Sequence, residues 1–182
     1  MRIISGEHKG RKIIAPKKLP VRPTTDMAKE SLFNILNNYY FFDEISVLDL
    51  FAGSGNISYE FASRGTKDII SVDKDYGCSK FIIETAETLN MPIQVIRGDV
   101  FKYLESSKQK FTVIFADPPY DFDLDKFSKI PQLVFDNKLL EDDGLLVIEH
   151  SKHTNLSHLQ HYNYSKSYGG NVFSFFEIIA DE

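Results

Sequence analysis

The feature that most constrains the fold of this chain is a short apolar segment followed at once by a turn with two glycines, within residues 45–56. The apolar segment is typical of a strand buried on both faces of a parallel sheet. Gly53 and Gly55 allow a sharp turn and the approach of a ligand without a Cβ in the way. Ile57 and Phe61 then follow at helical spacing. Strand, glycine turn and helix together predict the opening of a nucleotide-binding βαβ unit.

The rest of the chain continues the alternation of strands and helices. Further strands are predicted at 69–72, 93–96, 111–116 and 144–149, with helices between them. This order predicts an α/β fold with a doubly wound, mostly parallel sheet. Gly169 and Gly170 separate two more strand-like segments and predict a closing hairpin, which places one strand antiparallel at the end of the sheet. Pro131 predicts that the helical region before the fifth strand is broken into two pieces.

Length and composition favour a single cytoplasmic domain. The 182 residues are enough for one hydrophobic core, and no apolar run approaches the roughly 20 residues that cross a bilayer. The first residues lack the long apolar segment of a signal peptide. A single cysteine, Cys78, excludes an intrachain disulfide and is expected in the core. We therefore expect a cytoplasmic protein without membrane contact, and a monomer.

Charge is distributed unevenly along the chain. The net charge is −5, yet residues 2–22 alone carry +6, so the remainder carries −11. This asymmetry predicts an acidic core, residues 21–182, and a basic N-terminal arm, residues 1–20, that binds phosphates. Two short strands around a turn at residues 6–10 predict that the arm is a hairpin. The alternative from composition alone is a solvated ribbon whose lysines protect its edges.

Acidic residues lie at or just beyond the ends of successive predicted strands. They are Asp49, Asp73, Asp99 and Asp117. In a doubly wound sheet the ligand crevice lies beyond the carboxyl ends of the strands. Four acidic side chains at that edge are difficult to explain as an ordinary solvent-exposed surface, so we expect them to line a binding site.

The glycine turn lacks one residue of a dinucleotide site. Ser58 stands where the pattern Gly-x-Gly-x-x-Gly requires its last glycine, which argues against a nicotinamide-dependent dehydrogenase. Asp73 is nevertheless well spaced to bind ribose hydroxyls, while Asp99 and Val100 are placed to border an adenine. These positions favour an adenosine ligand without a pyrophosphate, and we predict S-adenosylmethionine. The predicted cofactor residues are Asp49, Phe51, Gly53, Ser54, Gly55, Asp73, Lys74, Asp99 and Val100.

The four residues Asp117-Pro118-Pro119-Tyr120 end the fourth strand and predict the chemistry. An exocyclic amine on a base is a poor nucleophile because its lone pair is delocalised into the ring. A carboxylate and a carbonyl held by proline can accept its two hydrogens and favour the nucleophilic form. Tyr120 offers a flat face on which the base can stack. We predict all four as catalytic residues.

At these residues the chain resembles a known family. Its glycine turn and Asp-Pro-Pro-Tyr loop are similar to those of amino-methyltransferases, and it is identified as a member of the bacterial RsmD family, which methylates a guanine N2 amine in 16S rRNA. The further matching segments are Arg2-Ile3-Ile4-Ser5-Gly6, Gly10-Arg11-Lys12, Arg22-Pro23-Thr24-Thr25-Asp26 and Glu30-Ser31-Leu32-Phe33-Asn34.

The resemblance implies a Rossmann-like class I methyltransferase, a ribosomal particle as substrate and an arm that contacts RNA. On this basis the predicted RNA-binding residues are Arg2, Lys9, Arg11, Lys12 and Arg22. Family members often carry Phe at the position of Tyr120, and Tyr there is common in adenine-N6 enzymes. The loop alone therefore leaves an adenine-N6 methyltransferase of DNA or RNA open, and a catalytically silent RNA-binding assembly factor is the other alternative.

Two sequence patterns resemble metal-binding sites, but neither predicts a bound metal. Residues 121–125 imitate the start of a calcium loop, but Lys126 and Gln132 stand where an EF-hand requires glycine and glutamate. Histidines cluster late in the chain, at positions 150, 153, 158 and 161, without an accompanying cysteine. We expect these histidines to face solvent, and we predict no metal.

Overall fold

Seven strands form one sheet in residues 1–22 and 24–179, the part of the chain that the computed structural model describes. Pro23, within the predicted entry to the first helix, lies outside the described residues. The strands are β1 Ser46–Leu50, β2 Asp68–Asp73, β3 Ile93–Arg97, β4 Phe111–Ala116, β5 Leu140–Ser151, β6 Tyr162–Tyr168 and β7 Asn171–Glu177. Their order across the sheet is β3-β2-β1-β4-β5-β7-β6.

Helices connect the strands. They are α1 Asp26–Leu36, α2 Asn56–Ser63, α3 Tyr76–Thr88, α4 Val100–Ser106 and α5 Leu124–Asp136, with a short 3₁₀ turn at Phe42–Glu44. Thr25 caps α1 by accepting a hydrogen bond from the Ala28 N–H. None of the helices within the described residues has the length and apolar composition needed to span a bilayer.

The order in which strands are added reverses between β1 and β4, which makes this the switch point of the sheet. Strands β3, β2, β1, β4 and β5 pair in parallel, whereas β7 pairs antiparallel with both β5 and β6. The predicted doubly wound sheet with an antiparallel hairpin is confirmed, and β7 lies second from the edge. In such a sheet the crevice at the switch point is the expected ligand site.

Alternating side chains of the central strands build a core on each face of the sheet. Val113 and Phe115 of β4 pack toward α1 and α2, whereas Ile114 and Ala116 pack toward α4 and α5. The same alternation fixes the faces on which the residues after each strand lie. Cys78 is buried in α3, as predicted.

Two predictions about the second half of the chain are wrong. Helix α5 runs unbroken across Pro131, because Phe127, Ile130 and Val134 bury its inner face and offset the missing N–H of the proline. His150 does not face solvent: it is 2% exposed, and its ring nitrogens lie 2.7 Å from Ser174 Oγ and 2.8 Å from the Ser151 carbonyl. Burial lowers the pKa of His150.

The N-terminal arm is a hairpin ribbon that is fastened to the core. Its two ends pair antiparallel around Arg2 and Lys12: the Ile3 N–H donates to the Arg11 carbonyl and the Ile13 N–H to the Met1 carbonyl, each at 3.0 Å. Gly6 and Gly10 adopt positive φ in the turn between them. Ile3 and Ile13 are buried against α2 and α3. The arm therefore contributes side chains to the hydrophobic core.

A buried ion pair also holds the arm. Lys29 Nζ lies 3.2 Å from Glu60 Oε2, and both side chains are fully buried. Lys29 donates to the Arg2 carbonyl at 2.6 Å, and Glu60 accepts the N–H groups of Ile4 and Ser5 at 3.0 Å each. Charges on α1 and α2 thus bind the backbone of the arm directly.

Candidate active site

A cavity of about 700 Å³ opens at the carboxyl ends of β1, β2 and β4. All four strand-end acids line it, as do Pro118, Pro119 and Tyr120. Of the predicted catalytic and cofactor residues, only Gly55 is not among its lining residues. The structure therefore brings together in one pocket residues that are spread over more than 70 positions of the sequence.

The glycine turn between β1 and α2 requires its two glycines for different reasons. Both adopt positive φ, 57° at Gly53 and 82° at Gly55. At Gly55 a Cβ would lie 2.7 Å from the ring of Tyr59, so the close neighbour is a buried side chain rather than a ligand. Gly55 shapes the turn from behind, whereas Gly53 and Ser54 line the pocket.

Asp73 at the end of β2 is held by backbone groups on both sides. Its Oδ2 accepts the Gly53 N–H at 2.8 Å, and its Oδ1 accepts the Asp75 N–H at 2.8 Å. This carboxylate therefore ties the glycine turn to the end of β2. Each oxygen keeps a second lone pair with which it can bind a ligand hydroxyl.

Aromatic side chains form an apolar slot beside Asp99. Phe51 lies edge-on to Phe122 and Phe101, with ring centroids 5.6 Å and 6.4 Å away, and Phe101 and Phe122 stack on each other at 6.0 Å. Asp99 itself caps α4 by accepting the Lys102 N–H at 3.0 Å. Sequence analysis missed Phe101 and Phe122, although both closely follow predicted site residues, Val100 and Tyr120.

Asp49 lies deepest in the pocket and is 2% exposed. Ser58 Oγ donates to it at 2.6 Å. Burial raises the pKa of Asp49 to about 7, against the opposing effect of the Ser58 hydrogen bonds. In the described part of the chain, no three His, Cys, Asp or Glu side chains are grouped so that they could hold a metal ion.

Asp117, the first residue after β4, lacks the partners that the other acids have. Its carboxylate accepts no hydrogen bond from residues 1–22 or 24–179. Burial raises the pKa of Asp117 well above its ordinary value, and the charges of Glu149 and Asp49 raise it further. A carboxylate held in this way is available to a ligand.

Tyr120 stands at the rim of the pocket with its ring 44% exposed. Its hydroxyl donates to Asn171 Oδ1 at 3.3 Å. The guanidinium carbon of Arg22 lies 5.6 Å from the ring centroid, a cation–π contact. One predicted RNA-binding residue, Arg22, thus belongs to the pocket wall.

The other four predicted RNA-binding residues lie on the arm. Arg2, Lys9, Arg11 and Lys12 are exposed. Arg2 is the one of them that pairs with an acid, at 3.2 Å from Asp26. The structure therefore divides the predicted set between the surface of the arm and the mouth of the pocket.

Glu149 near the end of β5 is a further acid that sequence analysis missed. It is 1% exposed and accepts hydrogen bonds from Thr24 Oγ1 at 2.9 Å and from Asn171 Nδ2 at 2.7 Å. The signal that could have identified it is an acid at the end of an apolar strand, the pattern that singled out Asp49 and Asp73.

Comparisons with known proteins agree with this geometry. The family described as "Conserved hypothetical protein 95" matches residues 1–177. The Bacillus subtilis protein named "Putative rRNA methyltransferase YlbH" is 38% identical over 161 residues, which are 86% of this chain and 85% of that one. The Escherichia coli protein named "Ribosomal RNA small subunit methyltransferase D" is 31% identical over 150 residues, 82% of this chain and 74% of that one.

A solved structure gives the same result for the fold. The structure titled "Putative methyltransferase yhhF" from Escherichia coli superposes with a TM-score of 0.83 at 29% identity, covering 97% of this chain and 96% of that one. The fold is thus that of the class I S-adenosylmethionine-dependent methyltransferases. Since the family match spans nearly the whole chain, this protein belongs to the "Conserved hypothetical protein 95" family, which is the RsmD family.

Proposed function

We propose that this protein methylates the exocyclic N2 amine of a guanine in 16S rRNA within a small-subunit particle, with S-adenosylmethionine as the methyl donor. The observation that carries the proposal is the carboxylate of Asp117, which is unpaired among the described residues and lines a cavity of about 700 Å³. The relatives named as rRNA methyltransferases support ribosomal RNA as the substrate.

The residues of the pocket fit the methyl donor, which supplies an electrophilic methyl group on a sulfonium. The free lone pairs of Asp73 accept the two ribose hydroxyls. Phe101, Phe122 and Val100 would hold the adenine, with Asp99 and Lys74 at its edge. Gly53 and Ser54 border the carboxylate of the methionine end, and Asp49 its ammonium.

Asp117 then acts on the target amine. Its ionised carboxylate accepts one N2–H, and the Pro118 carbonyl accepts the other, which turns the nitrogen lone pair toward the methyl group. Pro118 and Pro119 restrict the loop, so these acceptors need little reorganisation. The ring of Tyr120 stacks on the base and sets its approach.

The arm binds the particle in this proposal. Lys9, Arg11 and Lys12 are exposed on a ribbon whose backbone is fixed to the core, so their charges face outward in a constant arrangement. Phosphates of structured RNA are the matching partner. The enzyme acts as a monomer in the cytoplasm, where such particles are assembled.

The reaction is tested with small-subunit particles from a strain that lacks the gene. Purified protein should transfer labelled methyl groups to one guanosine, identified as N2-methylguanosine by nuclease digestion and mass spectrometry. Asp117→Asn should reduce single-turnover transfer by about 10²–10³-fold, the effect of losing one preorganised acceptor. Asp121→Asn, an exposed change four residues away, serves as the control and should leave the rate unaltered. Labelled N6-methyladenosine instead would show the adenine alternative to be right, and an inactive wild type would favour an assembly factor.

The same assay tests whether the basic residues of the arm bind the particle. Reversing Arg11 and Lys12 to glutamate should weaken binding to the particle and flatten its dependence on salt, while calorimetry shows unchanged cofactor affinity. Reversal of Lys108 and Lys110, exposed residues of the loop before β4, is the matched control. If both double variants methylate the particle equally well, the arm is a structural ribbon.

A further inference from the structure

The strand register makes Asp117 and Glu149 neighbours. Strands β4 and β5 run parallel, and Ala116 lies opposite Ile148. The next residues on these strands are Asp117 and Glu149. Both fall on the face of the sheet that packs toward α1, because side chains alternate and Phe115, two residues before Asp117, packs on that face. Two carboxylates therefore stand side by side at the switch-point edge.

The side chain of Glu149 is buried outside the ligand cavity. It is 1% exposed and is not among the residues that line the pocket. Each of its oxygens is already bonded, Oε2 by the Thr24 hydroxyl and Oε1 by the Asn171 amide. It cannot touch the base, so any influence on the reaction passes through a neighbour.

The surroundings of the two acids decide which one carries a proton first. The ionisable groups around Asp117 are Asp49 on β1, Glu149 on β5 and Tyr120 on its own loop. Arg22 lies near Tyr120 and Glu149. Burial raises the pKa of both acids, but the two hydrogen bonds and Arg22 oppose the rise at Glu149 only. Glu149 therefore stays ionised while Asp117 takes up the proton.

We propose that Glu149 is a positioning residue for the reaction, and that its fixed negative charge sets the pH above which Asp117 accepts the target amine. This inference rests on the function proposed above. The ionised carboxylate of Asp117 accepts an N–H more strongly than its protonated form does, so methyl transfer rises with pH as the proton leaves. The negative charge of Glu149 moves this rise in the methylation rate to higher pH.

Glu149→Gln tests this with little change of shape. Glutamine keeps the carbonyl that accepts from Asn171, and its amide can donate to the Thr24 hydroxyl, which can also accept. Removing the charge should shift the acid limb of the single-turnover pH profile to lower pH by about 1 unit. The plateau rate and the cofactor affinity should stay within a few-fold of wild type, and the melting temperature should not fall. Glu141→Gln, an exposed change on the same strand, should leave the profile in place.

Two more variants distinguish the effect of the Glu149 charge from that of its structural role. Glu149→Asp retains the charge, so its acid limb should stay with wild type even if its plateau falls. Thr24→Val removes one donor, which makes Glu149 easier to protonate, and should move the limb to lower pH by a smaller amount. It provides the measurement should Glu149→Gln not fold.

The inference is overturned if a folded Glu149→Gln protein keeps the wild-type profile, or if Glu149→Asp shifts as far as Glu149→Gln. A uniform loss of rate at every pH with a lower melting temperature would also overturn it, because that result indicates a structural role alone. Failure of the proposed function is distinct, since wild type would then transfer no methyl group to the particle at any pH.

Discussion

Two buried clusters of charge in this molecule are built in opposite ways. Beneath the arm, Lys29 lies 3.2 Å from Glu60, and Arg64 reaches the other oxygen of Glu60 at 3.0 Å. At the pocket, Asp49, Asp117 and Glu149 are all acids, and none of them forms an ion pair within the described part of the chain. One cluster is balanced and the other carries charge of a single sign.

The difference separates structure from function. A buried charge that has lost water is tolerated when an opposite charge and hydrogen bonds replace it, as they do for Lys29 and Glu60. Like charges offer no such compensation: burial raises the pKa of Asp49 and of Asp117, and neighbouring carboxylates raise both further. Such strained acids in a cleft are typical of sites where a ligand supplies what the protein lacks. Removing one charge should therefore have opposite effects on stability in the two clusters.

The largest effect is expected in the balanced cluster. Lys29→Met removes the fully buried cation beside Glu60, which leaves only the partly exposed Arg64 to pair with it, and it also removes the donor to the Arg2 carbonyl. Breaking a buried pair in this way typically costs about 3–5 kcal/mol of unfolding free energy. Urea unfolding followed by circular dichroism measures the loss.

Lys80→Met is the matched control for this change. Lys80 pairs with Glu84 on the exposed face of α3 at 3.7 Å, with both side chains more than half exposed. Such surface pairs contribute about 0.5 kcal/mol or less. A similar loss of unfolding free energy in both variants would show that burial does not strengthen the Lys29–Glu60 pair. That result would contradict the contrast between the two clusters.

The sequence does not reveal the balanced cluster. Lys29 and Glu60 are polar residues on two amphipathic helices, a pattern that predicts solvent exposure, and their contact depends on how α1 packs against α2. The prediction of a basic N-terminal arm did not include this anchor for the same reason. Charge counts describe the arm's surface, whereas its attachment comes from the backbone of Ile4 and Ser5, which composition cannot show.

A smaller effect of opposite sign is expected in the acid cluster. The pKa of Asp49 is about 7 when folded and about 3.9 in an unfolded chain. Folded protein thus holds a proton that unfolded chain has lost between these values, so stability is greatest at low pH and falls as pH rises through 7. The slope from this one group is at most about 1.4 kcal/mol per pH unit.

Asp49→Asn should remove that dependence. At pH 8 the variant should be more stable than wild type by about 1–3 kcal/mol, because no buried charge remains. Unfolding curves between pH 5 and 8 measure both slope and sign, and cofactor affinity should fall in the same variant if Asp49 binds the ammonium. A variant less stable than wild type at pH 8 would contradict the assignment of Asp49 to a strained cluster.

The acid cluster was largely predictable, and the reason is topological. Parallel strands end at one edge, so acids that follow buried strands must converge there, and Asp49, Asp73 and Asp117 do. Glu149 was not predicted because no motif surrounds it, and β5 continues beyond it to Ser151. Its partners, Thr24 and Asn171, come from distant segments that only the folded chain brings together.

The smallest effect is expected at the rim of the acid pocket, at Tyr120. Its hydroxyl makes one exposed hydrogen bond, 3.3 Å from Asn171 Oδ1, so Tyr120→Phe should cost about 0.5 kcal/mol of stability and leave single-turnover methyl transfer nearly unchanged. Tyr120→Ala removes the ring and should slow transfer by roughly 10–100-fold, the range expected when one stacked base loses its aromatic partner. Asn171 keeps its bond to Glu149 in both variants, so the acid limb of the pH profile should stay in place. Equal damage in the two variants would mean that the hydroxyl itself takes part in the reaction, and that the acid cluster extends to the rim.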